Sequence, residues 1–255
     1  MTSASLQGVF RSLRLYHGPQ APKAAMDQLY RQFVKPGDLV YDIGAHAGDR
    51  ISSFRRLGAR VVALEPQPLL MRALRLIHGR DPAVMLLPAA AAAETGEQIL
   101  HLNTRNPTVS TMSDAFMFEA NISAGWEGQV WDDAITVPAI TLDWLIKKFG
   151  PPVFIKIDVE GFEDQVLAGL SQSIPALSFE FTTIARDVAL RSIGRLAAFA
   201  NYGFDVTIGE SQRLSFGHWL TGSEMSLHIS SLPHATNSGD IYARLMEPGY
   251  TEMKS

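Results

Sequence analysis

Apolar positions in this chain follow two periods. Short apolar runs at residues 39–43, 60–64 and 84–87 have the length and β-branched content of buried strands. Between them, residues 49–57 and 68–78 carry apolar side chains at helical spacing, with Gly58 and Gly79 placed to stop each helix. Lys35-Pro36-Gly37-Asp38 forms a turn ahead of the first strand. The first third therefore reads β-α-β-α-β, which predicts a parallel sheet with right-handed crossovers. Ahead of it, residues 1–32 predict one or two short helices broken at His17-Gly18-Pro19, with Leu6, Val9, Phe10 and Leu13 on one stripe.

The alternation then loosens. Residues 98–102 alternate like a strand and 135–140 read as another. The polar, glycine-containing stretch 103–133 is expected to be a long loop or insertion, a kind of segment that is more often functional than idle. Thr141 caps a helix over 141–149. Strands at 153–157, 176–181 and 204–208 alternate with helices at 162–170 and 184–201, and two strand-like pieces follow at 226–229 and 240–244. About seven strands in this order predict an α/β fold: a doubly wound, mostly parallel sheet with helices on both faces. One domain over 1–255 is expected, with 1–32 as a helical cap on a core over 33–255.

Composition narrows the chemistry. Hydrophobic residues at 46% and charged residues at 19% exclude a disordered chain. A net charge of −4 without a basic cluster argues against a nucleic-acid partner. The longest apolar stretch, 83–93, contains Pro88 and falls short of the roughly 20 residues that span a bilayer. Residues 1–6 lack the regions of a signal peptide, so a cytoplasmic protein without a membrane partner is expected. Cysteine is absent, which removes disulfides, thiolate metal sites and cysteine nucleophiles. No His-x-x-x-His, Gly-x-Ser-x-Gly or P-loop pattern occurs.

Three places carry candidate chemistry. Asp42-Ile43-Gly44-Ala45-His46-Ala47-Gly48 lies where a strand ends and a helix begins, the edge at which doubly wound sheets bind ligands. Gly44 permits a tight turn and Gly48 a close approach, while His46 tolerates positive φ better than most residues. The helix start beyond favours an anionic group; the plain alternative is a tight turn with no ligand. Glu65, 23 residues after Asp42, can accept from both hydroxyls of a ribose, and its charge argues against a 2′-phosphate; a solvated strand-end glutamate is the plain alternative. In Ile155-Lys156-Ile157-Asp158-Val159-Glu160-Gly161, Lys156 breaks the apolar rule for a central strand and Asp158 shares its face by period two. A structural ion pair is the plain alternative, yet buried charge often marks function. Glu180 ends the next strand, so Asp42, Asp158, Glu160 and Glu180 should gather along one sheet edge. Asp158, Glu160 and Glu180 are hard oxygen donors, but no close ligand spacing demands a metal and none is expected.

Residues 33–38 running into Tyr41-Asp42-Ile43-Gly44-Ala45-His46-Ala47-Gly48, then Ala63-Leu64-Glu65-Pro66, resemble the FkbM family of S-adenosylmethionine-dependent methyltransferases. Thr141-Leu142-Asp143 followed by residues 155–163 is the strongest part of the match, and Gly239-Asp240 is a weaker echo. The resemblance implies a Rossmann-like seven-stranded fold with S-adenosylmethionine as cofactor. It implies that Asp42, Gly44, His46 and Gly48 surround the methionine part, Glu65 with Pro66 the ribose, and Ala89 and Ala90 after Pro88 the adenine. Lys156, Asp158 and Glu160 match the signature beside the transferred methyl. His46 departs from the family, which usually has asparagine there. The expected acceptor is a hydroxyl on a sugar, other glycan or small secondary metabolite, with Asp158 or Glu180 as base and Lys156 holding the carboxylates or the nascent oxyanion. An NAD-dependent oxidoreductase and a non-catalytic cofactor-binding module are the alternatives, and oligomeric state is open.

Overall fold

The computed structural model describes residues 3–18 and 23–247. Strands β1 (Leu39–Ile43), β2 (Arg60–Leu64) and β3 (Val84–Leu87) are parallel neighbours, joined through α3 (Asp49–Arg56) and α4 (Pro68–His78). On the other side of β1 lie β7 (Phe154–Ile157) and β8 (Ala176–Thr182), both parallel to it. β10 (Ser238–Leu245) runs antiparallel between β8 and β9 (Tyr202–Ile208). The seven-stranded order is β3-β2-β1-β7-β8-β10-β9. It reverses direction between β1 and β7, and ligands bind at such a switch point in open α/β sheets.

Each face of the sheet has its own core. Tyr41, Ile43, Ile155, Ile157, Leu177 and Phe179 point to the side covered by α6 (Leu142–Phe149), α7 (Glu163–Ala168), α8 (Arg186–Phe199) and α9 (Gly222–Ser231). Val40, Phe154 and Tyr242 point to the opposite side, against α2 (Lys23–Tyr30), α3 and α4. There Tyr30, Phe33, Phe54, Phe154 and Tyr242 make a continuous aromatic cluster, Phe33 stacking on Tyr242 with 5.6 Å between centroids. Period-two alternation in central strands thus sends both sets of side chains into apolar layers, as a doubly covered sheet requires.

Four stretches differ from their sequence expectation. Residues 98–102 and 135–140 do not join the main sheet. They belong to β5 (Gly96–Leu102) and β6 (Asp133–Ile140), which pair with the two-residue β4 (Ala90–Ala91) in a second, three-stranded sheet. Residues 103–133 are not simply loop: they contain a 3₁₀ turn, Pro107–Val109, and the helix α5 (Asp114–Ile122), capped by the Ser113 side chain accepting from Phe116 N–H. Trp126 and Trp131 pack edge-on against Phe116, which is why a locally polar segment is ordered. Residues 226–229 are helical, inside α9. Thr221 and Glu224 form a reciprocal capping box, and Met225 and Ile229 are buried four residues apart, a helical and not an extended period.

At the N-terminus, α1 (Ser3–His17) is a helix, but the expected stripe is not the docked face. Leu6 and Phe10 are exposed, whereas Gly8 and Ser12 face inward, and a Cβ on Gly8 would meet Pro107 at 2.9 Å. Close approach to the 3₁₀ turn selects the small residues. The break expected at His17-Gly18-Pro19 falls after α1; Pro19 lies outside the described residues. No described helix is long and apolar enough to cross a membrane.

Gly44 is the tightest point of the switch region. Its φ is +84°, and a Cβ there would lie 1.8 Å from the Asp158 backbone oxygen. Gly44→Ala should lose about 2 kcal/mol or more, from the left-handed conformation and the backbone clash together. Urea denaturation checks this; a midpoint within error of wild type would show that the two loops are not held at this separation.

Candidate active site

The carboxyl ends of β1, β7 and β8 and the neighbouring end of β10 carry a row of charge on the face that is aromatic further down. Strand register aligns Asp42 with Lys156, Lys156 with Ser178, and Glu180 with Asp240. The Lys156 side chain is fully buried. Its Nζ donates to Asp240 Oδ1 at 2.7 Å, Asp158 Oδ2 at 3.1 Å and the Ile157 carbonyl at 3.3 Å. Burial alone would pull its pKa down, but Asp158 and Asp240 overcome that and hold it well above the ordinary lysine value. Burial pushes Asp158 up, and Lys156 and Arg50 outweigh it, leaving this carboxyl below its usual range.

A cleft opens over this row. The β1 loop forms one wall: Gly44 and His46 both have positive φ, and His46 N–H donates to Glu65 Oε2 at 2.8 Å. Gln67 N–H donates to the other oxygen, Glu65 Oε1, also at 2.8 Å. Glu65 is 2% exposed, and burial raises its pKa to about 8 against those two backbone donors. Burial, with Asp49 next, raises Asp42 to about 7, and Asp42 Oδ2 has no hydrogen-bond partner although it lines the cleft. Burial lowers His46 to about 4, so its ring is neutral at pH 7. Its Nε2 lies 3.5 Å from Thr108 Oγ1, and its ring meets Tyr16 edge-on.

The opposite wall is acidic. Glu160 and Gly161 take successive left-handed conformations, φ +54° and +83°, and Thr111 Oγ1 donates to the Glu160 carbonyl at 2.6 Å. This turn directs the Glu160 carboxylate toward Asp158 and Glu180, and one oxygen from each of the three lies within 4.8 Å of the others. Burial and the neighbouring acids push both Glu160 and Glu180 well above ordinary glutamate values.

Asp42, Gly44, His46, Glu65, Pro66, Ala89, Ala90, Asp158, Glu160 and Glu180 all line this one cleft. Two expected site residues do not. Gly48 caps α3 from behind the loop, where a Cβ would meet Leu74 and His78; its small size serves helix packing. Lys156 lies beneath the floor with all three donors committed, so no N–H remains for an oxyanion. Several cleft residues were not singled out in the sequence. Arg50, at the start of α3, pairs with Asp49 and, at 3.4 Å, with Glu210; Tyr16 of α1 lies beside them. Thr108, Ser110 and Met112 come from the inserted segment. Asp240 was visible only as the faint Gly239-Asp240 echo, since its partner is 84 residues away.

Replacing a buried, paired charge leaves its partners uncompensated. Lys156→Met should therefore cost about 3–5 kcal/mol. Adding Asp240→Asn should restore part of that loss, because one stranded carboxylate is removed. Urea midpoints of the single and double variants test the coupling; strictly additive losses would contradict it.

Comparison with known proteins adds identity to this geometry. A methyltransferase FkbM domain model matches residues 42–206. No curated protein matches the chain in sequence. Among solved structures, a putative O-methyltransferase from Klebsiella pneumoniae is similar, with TM-score 0.48 and 10% identity, over 96% of this chain and 90% of that one. The precorrin-6y C5,15-methyltransferase of Geobacter metallireducens is similar with TM-score 0.46 and 13% identity, over 88% and 87%. An O-methyltransferase from Bacillus cereus, solved in complex with SAH, is similar with TM-score 0.43 and 13% identity, over 96% and 92%. The family match spans the β1 loop, Glu65 and the whole β7–β8 acidic wall, and the chain belongs to the FkbM methyltransferase family.

Proposed function

We propose that this protein methylates a hydroxyl group of a small-molecule or glycan acceptor, with S-adenosylmethionine as the methyl donor. The observation that carries the reading is the meeting, in one cleft, of a ribose-type carboxylate, Glu65, with an ionised carboxylate, Asp158, at the sheet's switch point. The residues fit the cofactor. The orphaned, buried Asp42 Oδ2 calls for a donor from a ligand, which an ammonium or hydroxyl supplies. Ala89, Ala90, Pro66, Glu65, Asp42, Gly44 and His46 line the cleft; on this reading the first three would give an apolar wall for a purine, Glu65 would accept from the ribose, and Asp42, Gly44 and His46 would enclose the methionine end.

When bound, the cofactor supplies a methyl group on a sulfonium, which transfers in line to the acceptor oxygen while the S–C bond electrons return to sulfur. The chain contributes alignment, and alignment at close approach accounts for roughly 7–11 kcal/mol of such a barrier. Asp158 takes the hydroxyl proton. Lys156 keeps that carboxylate ionised and fixed, and Glu180 and Glu160 complete the acidic wall. The inserted segment, through Thr108, Ser110 and Met112, and Glu210 beyond β9 border the same cleft and shape the acceptor's approach.

Two expectations follow. A ribose that donates to Glu65 prefers the ionised carboxylate, so binding must release its proton. Below the free-state value of about 8, affinity should therefore rise with pH, close to tenfold per unit, and level off above it. Calorimetry with 5′-methylthioadenosine between pH 6 and 9 tests this; Glu65→Gln should flatten the profile, and a flat wild-type profile would remove Glu65 from the ribose site. Asp158→Asn should lower labelled-methyl transfer into hydroxylated acceptors by about 10²–10⁴-fold while 5′-methylthioadenosine still binds. Full turnover in that variant would rule out Asp158 as the base.

A further inference from the structure

Beside the acidic cleft lies a space of the opposite sign. A second cavity, of about 870 Å³, is lined by α1, the start of α2, and α3, and it shares Tyr16, Asp49, Arg50 and Glu210 with the cleft. Small-molecule sites have volumes of this order. On a chain whose net charge is −4, Arg11, Arg14, Lys23, Arg50 and Arg56 bring five cations to this lining, against two acids, Asp49 and Glu210. Two of the five are neutralised within the fold: Arg56 by Asp27, and Arg50 by Asp49 and, at 3.4 Å, Glu210. The other three have no carboxylate partner among the described residues. Arg11 donates to the Arg105 carbonyl at 2.7 Å and Lys23 Nζ to the His17 carbonyl at 3.2 Å, contacts that place a charge without cancelling it. Arg50 also keeps a spare donor, since its Nε is buried and has no acceptor.

A lone arginine in water needs no partner, but three uncompensated cations around one concave space focus their field into it and draw in anions. Their number selects the anion. A carboxylate carries one charge, whereas a phosphate ester carries about −1.5 to −2 at pH 7 and three strong acceptor oxygens. Guanidinium groups match that geometry with paired donors. Burial, with Glu210 and Asp49 next, holds the Tyr16 pKa well above its ordinary value, so its hydroxyl meets an anion as a donor. α1 fixes where such an anion sits. His17 Nε2 donates to the Ala47 carbonyl at 2.7 Å, and the Tyr16 ring meets His46 with 5.3 Å between centroids. The helix that carries Arg11 and Arg14 is thereby tied to the β1 loop, and a molecule anchored in the cavity reaches the cleft past Tyr16 and Arg50.

We propose that this cavity binds a phosphate group of the acceptor, so that the compound methylated is a phosphorylated one whose free hydroxyl enters the cleft from the α1 side. Assigning the anion to the acceptor rests on the methyl-transfer reading; the anion site itself does not. Arg11, Arg14 and Lys23 supply the attraction, and the Arg50 Nε–H supplies a donor at the border with the cleft. The arrangement separates two tasks by charge. The cationic cavity holds the unreactive end of the acceptor, and the acidic wall receives the hydroxyl. Binding energy gathered at the remote anion would then be used to align the hydroxyl with the methyl group.

Calorimetry with inorganic pyrophosphate on the full chain, at low ionic strength, tests the site without donor or acceptor. One pyrophosphate per chain is expected, with affinity falling steeply as salt is added. Arg14→Gln and Lys23→Gln together should weaken it at least roughly tenfold. Lys147→Gln, exposed on α6 across the sheet, should leave it unchanged. Unshifted urea midpoints show the variants folded. No saturable binding at millimolar pyrophosphate overturns the proposal, and so does binding that the double variant leaves undiminished. S-adenosylhomocysteine, whose carboxylate is the other anion in the reaction, should bind alongside pyrophosphate. Competition between the two would give the cavity to the cofactor's tail and overturn the assignment to the acceptor. Failure of both S-adenosylhomocysteine and 5′-methylthioadenosine to bind would instead count against the methyltransfer reading and leave the anion site standing.

Discussion

A single ammonium group, Lys156 Nζ, organises the charged edge of this sheet. It is fully buried in a central strand, where desolvation works against its charge. It persists there because two carboxylates from different strands converge on it. Ser178, its register neighbour on β8, has a side chain small enough to leave the path to Asp240 on β10 open. The antiparallel insertion of β10 between β8 and β9 is what brings Asp240 to this spot. Register, strand order and side-chain size are therefore tied together by one electrostatic requirement.

The same face explains how a charged site and a packed core coexist. Going up each strand by twos, Val40 gives way to Asp42, Phe154 to Lys156 and then Asp158, and Ala176 to Ser178 and then Glu180. The lower row packs against the Tyr30–Phe54–Phe33 cluster, and the upper row meets the cleft. A strand can hold both because alternation sets which face a side chain takes, while position along the strand sets whether it is covered by helices or opens at the switch point. The β1 loop closes over that row, with Gly44 pressed on the Asp158 backbone, so the β1 loop and the acidic wall meet with no room for a side chain between them.

The segment over 103–133 completes the cleft from outside the main sheet. Its ordering depends on Trp126 and Trp131 around Phe116, on Trp131 Nε1–H donating to the Val109 carbonyl at 2.8 Å, and on Thr111 gripping the Glu160 turn. An extension that reads as polar loop thereby holds a glutamate of the acidic wall in a conformation that glycine would more readily adopt.

Local sequence patterns determined the elements, the parallel sheet, the β1 loop with its positive-φ histidine, and the residue types of the site. These follow from periodicity, turn chemistry and the rule that a buried strand should be apolar, which Lys156 visibly breaks. The motif resemblance added the cofactor class. Tertiary structure alone decided the rest. It paired Lys156 with Asp240, moved Lys156 from the cleft to beneath its floor, removed Gly48 from the site, and drew Glu160 and Glu180 to within reach of Asp158. It also turned residues 226–229 into part of a helix and sent β5 and β6 to a second sheet. Each of these depends on contacts between residues far apart in the chain, and a local period carries no information about which distant element arrives at a given edge.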